Sequence, residues 1–264
     1  MILYLLYPLS GAIAGLLAGL LGVGGGVVVI PIMVFIFTAQ GLPQQYIMHM
    51  ALGTSLATIM ATSLSSLKAH HRCGAVNWDI VKRITPGIIF GTLSGSWVAA
   101  GLSPAVLKGI FACFLCYVAL QMLSNSKHGS TRELPKTAGM FGAGGFIGFV
   151  SSLVGIGGGT LSVPFMIWCN LPVHHAIGTS AAIGFPIAAA GTLGYILNGL
   201  RVSGLPAQNV GFINLPALAG LALFSMLTAP VGARLAHRLP VPIIKRVFAV
   251  FLVGVAARMI WGML

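Results

Sequence analysis

Long apolar runs separated by short polar stretches make up almost the whole chain. A transmembrane helix needs about 20 apolar residues to cross a hydrocarbon core about 30 Å thick. Six of the eight runs have about this length, whereas the first and fifth, with about 30 residues each, are too long for one crossing and too short for two. The pattern predicts an all-α polytopic membrane protein with apolar segments at 9–38, 47–69, 84–102, 105–124, 137–168, 176–197, 211–232 and 244–263.

The two long runs are copies of each other, which indicates an internal duplication. The stretch GVGGGVVVIPIM at 22–33 aligns with GIGGGTLSVPFM at 155–166, and HMALGTS at 49–55 aligns with HHAIGTS at 174–180. Because these matches occur in the same order, and a weaker one follows near the end of each half, low complexity is a poor explanation for them. We predict two repeats of four segments at 1–124 and 137–264, joined by a polar cytoplasmic linker at 125–136.

The basic residues indicate that the two repeats have opposite orientations. Loop 68–83 carries four Lys and Arg residues, whereas its equivalent in the second repeat, loop 198–210, carries one. The distribution reverses further along, because loop 233–247 carries four and the equivalent turn at 103–104 has only one basic residue nearby. Cytoplasmic loops of membrane proteins are enriched in Lys and Arg. Equivalent loops with exchanged basic residues therefore predict an inverted repeat.

Inversion requires an odd number of crossings in each repeat. Each repeat has an odd number of crossings if its long run enters the membrane as a half-helix, breaks at its glycines and returns to the side from which it entered. Each half would then have about 13 residues and a length of about 20 Å. All three basic loops would be cytoplasmic and both termini outside. The alternative is one long tilted helix per repeat, which fits the charges less well.

Composition narrows the class of protein further. Charged residues make up 6% of the chain, apolar types make up 57%, and only two acids accompany 14 Lys and Arg residues. This excludes a soluble globular domain and a disordered chain, and the scattered basic residues do not form a nucleic-acid interface. No acid lies inside an apolar run, which argues against a carboxylate proton relay. We expect that the protein is not an enzyme and that it binds no cofactor or metal. Its expected partners are a small anion and the lipid bilayer, and a homo-oligomer is compatible with the sequence.

The glycine runs are the candidate substrate site. Glycine interrupts a helix and allows a ligand to approach the backbone closely. The helix that resumes after each run begins with unpaired N–H groups of positive partial charge. Two such helix ends, one from each repeat, would hold an anion near the middle of the membrane. The alternative is that these glycines only allow tight helix packing. The candidate glycines are Gly22, Gly24, Gly25 and Gly26 in the first repeat, and Gly155, Gly157, Gly158 and Gly159 in the second.

Other polar or helix-kinking residues recur near these runs in both repeats. The hydroxyl groups of Thr54, Ser55, Thr179 and Ser180 could contact the anion, although such groups also bond to their own helix. His49 and His174 are equivalent and could form a pH-sensitive gate, or they are simply interfacial polar residues. Pro31 and Pro164 are expected to kink the returning half-helices. These eight residues complete the predicted site.

The paired G-x-G-G-G-x4-P boxes, the Gly-Thr-Ser boxes and the stretch from Gly74 to Trp78 resemble the TauE/SafE family, also called the sulfite exporter or TSUP family. The resemblance covers nearly the whole chain. It implies an inner-membrane transporter of small sulfur-containing or organic anions such as sulfite, sulfonates or sulfoacetate. Many members have Asp before the Trp of the last stretch, where this chain has Asn77.

Together, these features predict a secondary transporter that exports a small anion by alternating access between two inverted repeats. Two other classes of function stay open. One is an anion channel with the same site. The other is a thiol-dependent importer of a sulfur compound, or a membrane enzyme or assembly factor, using Cys113 and Cys116, although a C-x-x-C in an apolar run is more commonly part of the packing.

Overall fold

A computed structural model describes residues 2–21, 25–123, 133–236 and 241–261 of the chain. These residues form ten α-helices and one small β-hairpin. The elements are α1 (Ile2–Leu21), α2 (Gly26–Ala39), α3 (Gln44–Arg72), α4 (Trp78–Gly101), α5 (Pro104–Leu123), α6 (Thr137–Val154), α7 (Gly159–Trp168), α8 (Val173–Gly199), β1 (Asn209–Val210), β2 (Ile213–Asn214), α9 (Leu215–Ala236) and α10 (Val241–Trp261).

Five of the helices in the described ranges are long and apolar enough to cross a membrane. They are α3, α5, α6, α8 and the part of α9 at 215–232. Phe90, Leu120, Phe146 and Leu227 are among the many large apolar side chains left exposed on the outer surface. A surface of this kind requires lipid around it. The predicted class, an all-α polytopic membrane protein, is confirmed.

Both long apolar runs contain a break at their glycines. In the second run α6 ends at Val154, and Gly155 and Gly158 have φ angles of 68° and 76° before α7 begins. In the first run α1 ends at Leu21, and α2 begins after Gly25, whose φ is 65°. These left-handed angles are costly for residues with a Cβ, so glycine ends one helix and begins the next. The alternative of one continuous helix per run is wrong.

The first run folds back on itself. The Tyr7 hydroxyl, near the start of α1, donates a hydrogen bond of 3.1 Å to Oε1 of Gln40, which directly follows α2. The start of α1 and the end of α2 therefore lie side by side, as in a helical hairpin. The predicted length of about 13 residues per half is wrong for α1 and α6, which have 20 and 18 residues. The helix in α1 continues toward the N-terminus through Pro8, beyond the predicted start of the apolar run.

The helices of the two halves pack reciprocally. Helix α1 packs against α9, and its equivalent α6 packs against α4. A Cβ atom on Gly11 would overlap the carbonyl oxygen of Leu221, and one on Gly144 would overlap that of Ile84. These glycines allow close helix contact, as small residues do in membrane proteins. Helices α3 and α8 cross at the centre, where Gly53 lies against Tyr195. An exchange of the two halves would reproduce this set of helix pairs.

The directions of the helices place the C-terminal ends of α3, α5 and α9 at one face of the protein. In the α1–α9 and α4–α6 pairs, the residue numbers of contacting residues rise together along both helices, so these pairs are parallel. In the α3–α8 pair they rise in one helix and fall in the other, so this pair is antiparallel. The two residues between α4 and α5 reverse the chain. Helices α3, α5 and α9 therefore end at the same face, called the basic face below, because the four Lys and Arg residues of 68–83 lie at the end of α3 and the start of α4.

Candidate functional site

A small cavity of about 40 Å³ lies beside the break between α6 and α7. Its wall combines backbone at the break with one face each of α3 and α8, and it extends toward the basic face along the last turns of α3. The lining residues are Ala18, Gly19, Ile59, Thr62, Ser63, Ser66, His70, Gly157, Gly159, Ile177, Ser180, Ala181, Gly184 and Ala229.

The N-terminus of α7 forms the inner wall of this cavity. Gly157 and Gly159 line it, and the carbonyl oxygen of Gly158 accepts the N–H groups of Leu161 and Ser162 at 2.9 and 2.7 Å. The N–H groups at the start of the helix precede these bonds and have no acceptor within the helix. The start of α7, which bears their positive partial charge, therefore borders the cavity. Of the predicted glycines of the second repeat, Gly157 and Gly159 line the cavity, whereas Gly158 packs against Ile187.

Ser180 adds a hydroxyl group to the same wall. It lines the cavity, and its Oγ accepts a hydrogen bond of 2.8 Å from Oγ of Ser162 in α7. A hydroxyl that accepts one hydrogen bond can still donate its own proton. The Ser180 hydroxyl on α8 is therefore a donor in the same wall as the N-terminus of α7.

Gly26, in the described part of the first glycine run, lies against the second break, and neither Gly25 nor Gly26 lines the cavity. A Cβ atom on Gly26 would lie 2.5 Å from the carbonyl oxygen of Gly155. The same oxygen accepts a hydrogen bond of 2.8 Å from Oγ of Ser55. Gly26 and Ser55 therefore join the two breaks, while Gly25 packs against Ala14 of α1. The predicted residues Gly22 and Gly24 lie outside the described residues.

The two threonines of the Gly-Thr-Ser boxes hold loops in place. Oγ1 of Thr179 accepts the backbone N–H of Asn77 at 3.0 Å, and Oγ1 of Thr54 accepts that of Asn214 at 3.0 Å. Both threonines are fully buried and neither lines the cavity. The asparagine side chains in turn cap α4 and α9. Oδ1 of Asn77 accepts the Asp79 N–H at 3.1 Å, and Oδ1 of Asn214 accepts the Ala217 N–H at 3.0 Å.

This pair of anchors was missed in the sequence, although a signal for it exists. The stretches GAVN at 74–77 and GFIN at 211–214 share their glycine and asparagine, and both glycines have positive φ angles. They precede α4 and α9, which are equivalent helices. Each loop thereby connects one half of the chain to the central helix of the other half.

The predicted gate residues lie away from the cavity lining. His49 is buried, its Nε2 lies 3.0 Å from the Ala99 carbonyl oxygen, and its ring stacks on Phe212 with centroids 5.1 Å apart. His174 is exposed at the start of α8, so the two equivalent histidines have different surroundings. Helices α2 and α7 continue through Pro31 and Pro164 without interruption.

Polar residues of α3 form a part of the cavity wall that sequence reasoning missed. Thr62, Ser63, Ser66 and His70 recur at three- and four-residue spacing, which places them on one helix face. The hydroxyls of Thr62 and Ser63 donate to carbonyl oxygens of Thr58 and Met60, within the same helix. These side chains therefore make the wall polar, while the donors for an anion remain at α7 and Ser180.

The cavity wall is electrically neutral apart from the titratable His70. Its described lining contains no Asp, Glu, Lys or Arg side chain. Within the described ranges, no cluster of three or more His, Cys, Asp or Glu residues could hold a metal ion. An isolated carboxylate would repel an anion, whereas an isolated Lys or Arg would be costly to bury. Backbone dipoles and hydroxyl groups avoid both costs.

Comparison with known proteins assigns the family. The model of the sulfite exporter TauE/SafE family matches residues 7–259. A probable membrane transporter protein of Haemophilus influenzae is 36% identical over 97% of both chains. One of Methanocaldococcus jannaschii is 32% identical over 89% of this chain and 88% of its own. YunE of Bacillus subtilis, also a probable membrane transporter protein, is 28% identical over 74% of this chain and 79% of its own. No solved structure matches. The chain therefore belongs to the TauE/SafE family of membrane transporters.

Proposed function

We propose that this transporter exports a small anion, such as sulfite, a sulfonate or a related organosulfur anion, across the inner membrane. The observation that carries the proposal is the N-terminus of α7, which faces a neutral cavity with Gly157, Gly159 and Ser180 in its wall. A helix N-terminus bears about half an elementary positive charge. It binds oxyanions through backbone N–H groups without a basic side chain.

The proposed mechanism is alternating access between two inverted repeats, 1–124 and 137–264, joined by the linker 125–136. The anion binds at α7, and a movement of one half against the other exposes it to each side in turn. The reciprocal packing of α1 on α9 and of α6 on α4 supports this arrangement, because one movement can open one face and close the other.

We propose that the basic face is cytoplasmic and that both termini lie outside, following the distribution of Lys and Arg. The cavity would then be open to the cytoplasm, where an exporter collects its substrate. A membrane potential that is negative inside favours release of an anion by about 2.3 kcal/mol per charge per 100 mV. This driving force is sufficient for export of a monoanion without a coupled ion.

The cavity favours a transporter over the two alternatives. A channel needs a path open at both faces, whereas this cavity extends toward the basic face. A thiol-dependent activity needs cysteine at the site, but Cys113 and Cys116 lie on α5 and are not among the described residues that line the cavity.

Ligand-dependent thermal unfolding of the purified protein tests the proposal. Sulfite, sulfate, a short alkylsulfonate and a short carboxylate are compared at equal ionic strength with a neutral sulfone of similar size. A ligand that binds only the folded state raises its stability by RT ln(1 + [L]/Kd). We expect stabilisation by sulfite or the sulfonate and none by the sulfone. Equal unfolding temperatures in all five solutions would remove the basis for an anion site.

A further inference from the structure

We infer that an aromatic cluster around Phe212 is the gate that closes the face opposite the basic face, so that the structure is a state open on one side only. This inference rests on the proposed alternating-access function. The cluster consists of Tyr46, His49, Tyr195 and Phe212, and is called the aromatic plug below.

The aromatic plug is compact, and three of its four residues, His49, Tyr195 and Phe212, are buried. Phe212 lies between β1 and β2, with 2% of its surface exposed, and its ring centroid lies 5.1 Å from His49, 6.2 Å from Tyr46 and 6.3 Å from Tyr195. The N–H of Phe212 donates to the Tyr195 carbonyl oxygen at 3.3 Å. The hydroxyl of Tyr195 donates to the Ser152 carbonyl oxygen at 2.9 Å. The hairpin, α3, α6 and α8 therefore meet at this cluster.

Two cavities in the described part of the protein lie toward opposite faces. The first is the substrate cavity beside α7. The second, of about 200 Å³, lies at the other face, beside the start of α1 and the hairpin. Its lining is rich in amide side chains and comprises Tyr7, Gln40, Leu42, Pro206, Gln208 and Asn214. Asn214 follows the plug residue Phe212 by two positions and is bonded to Thr54 of α3. Tyr46 and His49 lie near the start of α3 and Tyr195 near the end of α8, so the plug is nearer the opposite face than the residues of α3 and α8 that line the substrate cavity.

The equivalent positions at the open face carry different side chains. Phe212 corresponds to Ala75, because the loops GFIN and GAVN occupy equivalent places. The backbone contacts are the same, since a Cβ on Gly53 would meet the Phe212 carbonyl oxygen and one on Gly178 would meet that of Ala75. Tyr195 corresponds to His70, which lines the cavity. The two loops share their backbone placement, and only one of them carries a ring that can block the path.

The inner part of the closed path is filled by aliphatic contacts. Thr62, Ser63 and Ser66 of the open wall correspond to Ile187, Ala188 and Gly191 of α8. Gly191 is packed against Leu56, whose Cδ1 would lie 2.8 Å from a Cβ added there. Ala188 is fully buried. One half of the pseudo-symmetric path is thus polar and lines a cavity, with Ser63 7% exposed, and the other half is apolar and filled, with Ala188 fully buried.

Cysteine accessibility tests the gate with a pair of equivalent residues. In a variant without the four native cysteines, Ser63→Cys and Ala188→Cys place similar small thiols on the open and the closed path. The probe is a small charged methanethiosulfonate reagent added to purified protein. We expect Ser63→Cys to react at least tenfold faster than Ala188→Cys. Adding Phe212→Ala should accelerate the reaction of Ala188→Cys at least tenfold and leave that of Ser63→Cys within about twofold.

Two results would overturn the inference. One is an Ala188→Cys that reacts as fast as Ser63→Cys in the parent protein. The other is a reaction rate of Ala188→Cys that does not change when Phe212→Ala is added, provided that the Ser63→Cys rate also stays within about twofold and so indicates an intact fold. If Phe212→Ala does not fold, Phe212→Leu removes the ring and keeps a large apolar side chain; an Ala188→Cys rate unchanged by it also counts against the gate. These rates require no bound anion, so they distinguish a failed gate from a failed anion site.

Discussion

Replacing Ser180 by Ala separates the contribution of the cavity wall to binding from its contribution to folding. Ser180 lines the cavity and accepts a hydrogen bond from Ser162. Its own proton is the side-chain donor that we assign to the anion. Hydrogen bonds to charged groups contribute about 1.5–3 kcal/mol, so Ser180→Ala should weaken anion binding by about 10- to 150-fold. In Ser180→Ala the Ser162 hydroxyl loses its acceptor in both the anion-free and the anion-bound protein. The free-energy cost of this loss is therefore the same in both states and does not affect the affinity.

The equivalent residue in the first repeat provides a matched control. Ser55 donates to the Gly155 carbonyl oxygen, is fully buried and is absent from the cavity lining. Ser55→Ala leaves that oxygen without its partner, at a cost of about 1–3 kcal/mol in folding stability. The two substitutions remove the same atom from equivalent positions. Ser180→Ala should therefore lower affinity more than stability, and Ser55→Ala should lower stability more than affinity.

Thermal unfolding with and without sulfite measures both quantities. At a ligand concentration 100 times the Kd of the parent protein, binding stabilises the fold by about 2.7 kcal/mol, and a tenfold weaker Kd reduces this to about 1.4 kcal/mol. We expect the sulfite-dependent rise in Tm to fall by about half or more in Ser180→Ala. A rise as large as that of the parent protein would show that Ser180 makes no contact with the anion, and would refute the assignment.

Four further outcomes are expected. Gly158→Ala should cost about 1–2 kcal/mol of stability, measured by denaturation, because φ there is 76°; an unchanged midpoint would contradict the left-handed cap. Thr179→Ala should lower stability by about 1–3 kcal/mol through the lost bond to the Asn77 loop, with sulfite affinity within about threefold. Replacing both Cys113 and Cys116 by Ala should leave anion flux in proteoliposomes unchanged, and a loss of flux would revive the thiol mechanism. A C-terminal reporter that matures only in the cytoplasm should stay inactive; a signal would reverse the proposed orientation.

The helical segments and the breaks could be predicted because each depends on local sequence. Apolar runs of membrane-crossing length give the helices, and the two glycine runs interrupt them because few other residues adopt the left-handed backbone of Gly25 and Gly158. The close packing of Gly11 and Gly15 on α9 follows from small-residue spacing in the same way.

The role of each polar side chain could not be predicted, because it depends on contacts between distant segments. Thr54 and Thr179 look like substrate ligands until their loop partners, which lie 160 and 102 residues away, are known. Ser55 and Ser180 are equivalent in sequence, but one joins the two breaks and the other faces the cavity. The duplication predicts the same role for both serines. In a state that is open on one side only, the two repeats have different surroundings, so the two serines have different roles.

Locating a bound anion tests the central claim most directly. Selenite resembles sulfite, and selenium gives an anomalous X-ray signal, so a crystal of the protein soaked in selenite would show where the anion binds. We predict one strong peak within hydrogen-bonding distance of the N–H groups at the start of α7 and of the Ser180 hydroxyl. A peak confined to the amide-lined cavity at the opposite face, or no peak at a concentration that saturates the thermal shift, would contradict the account.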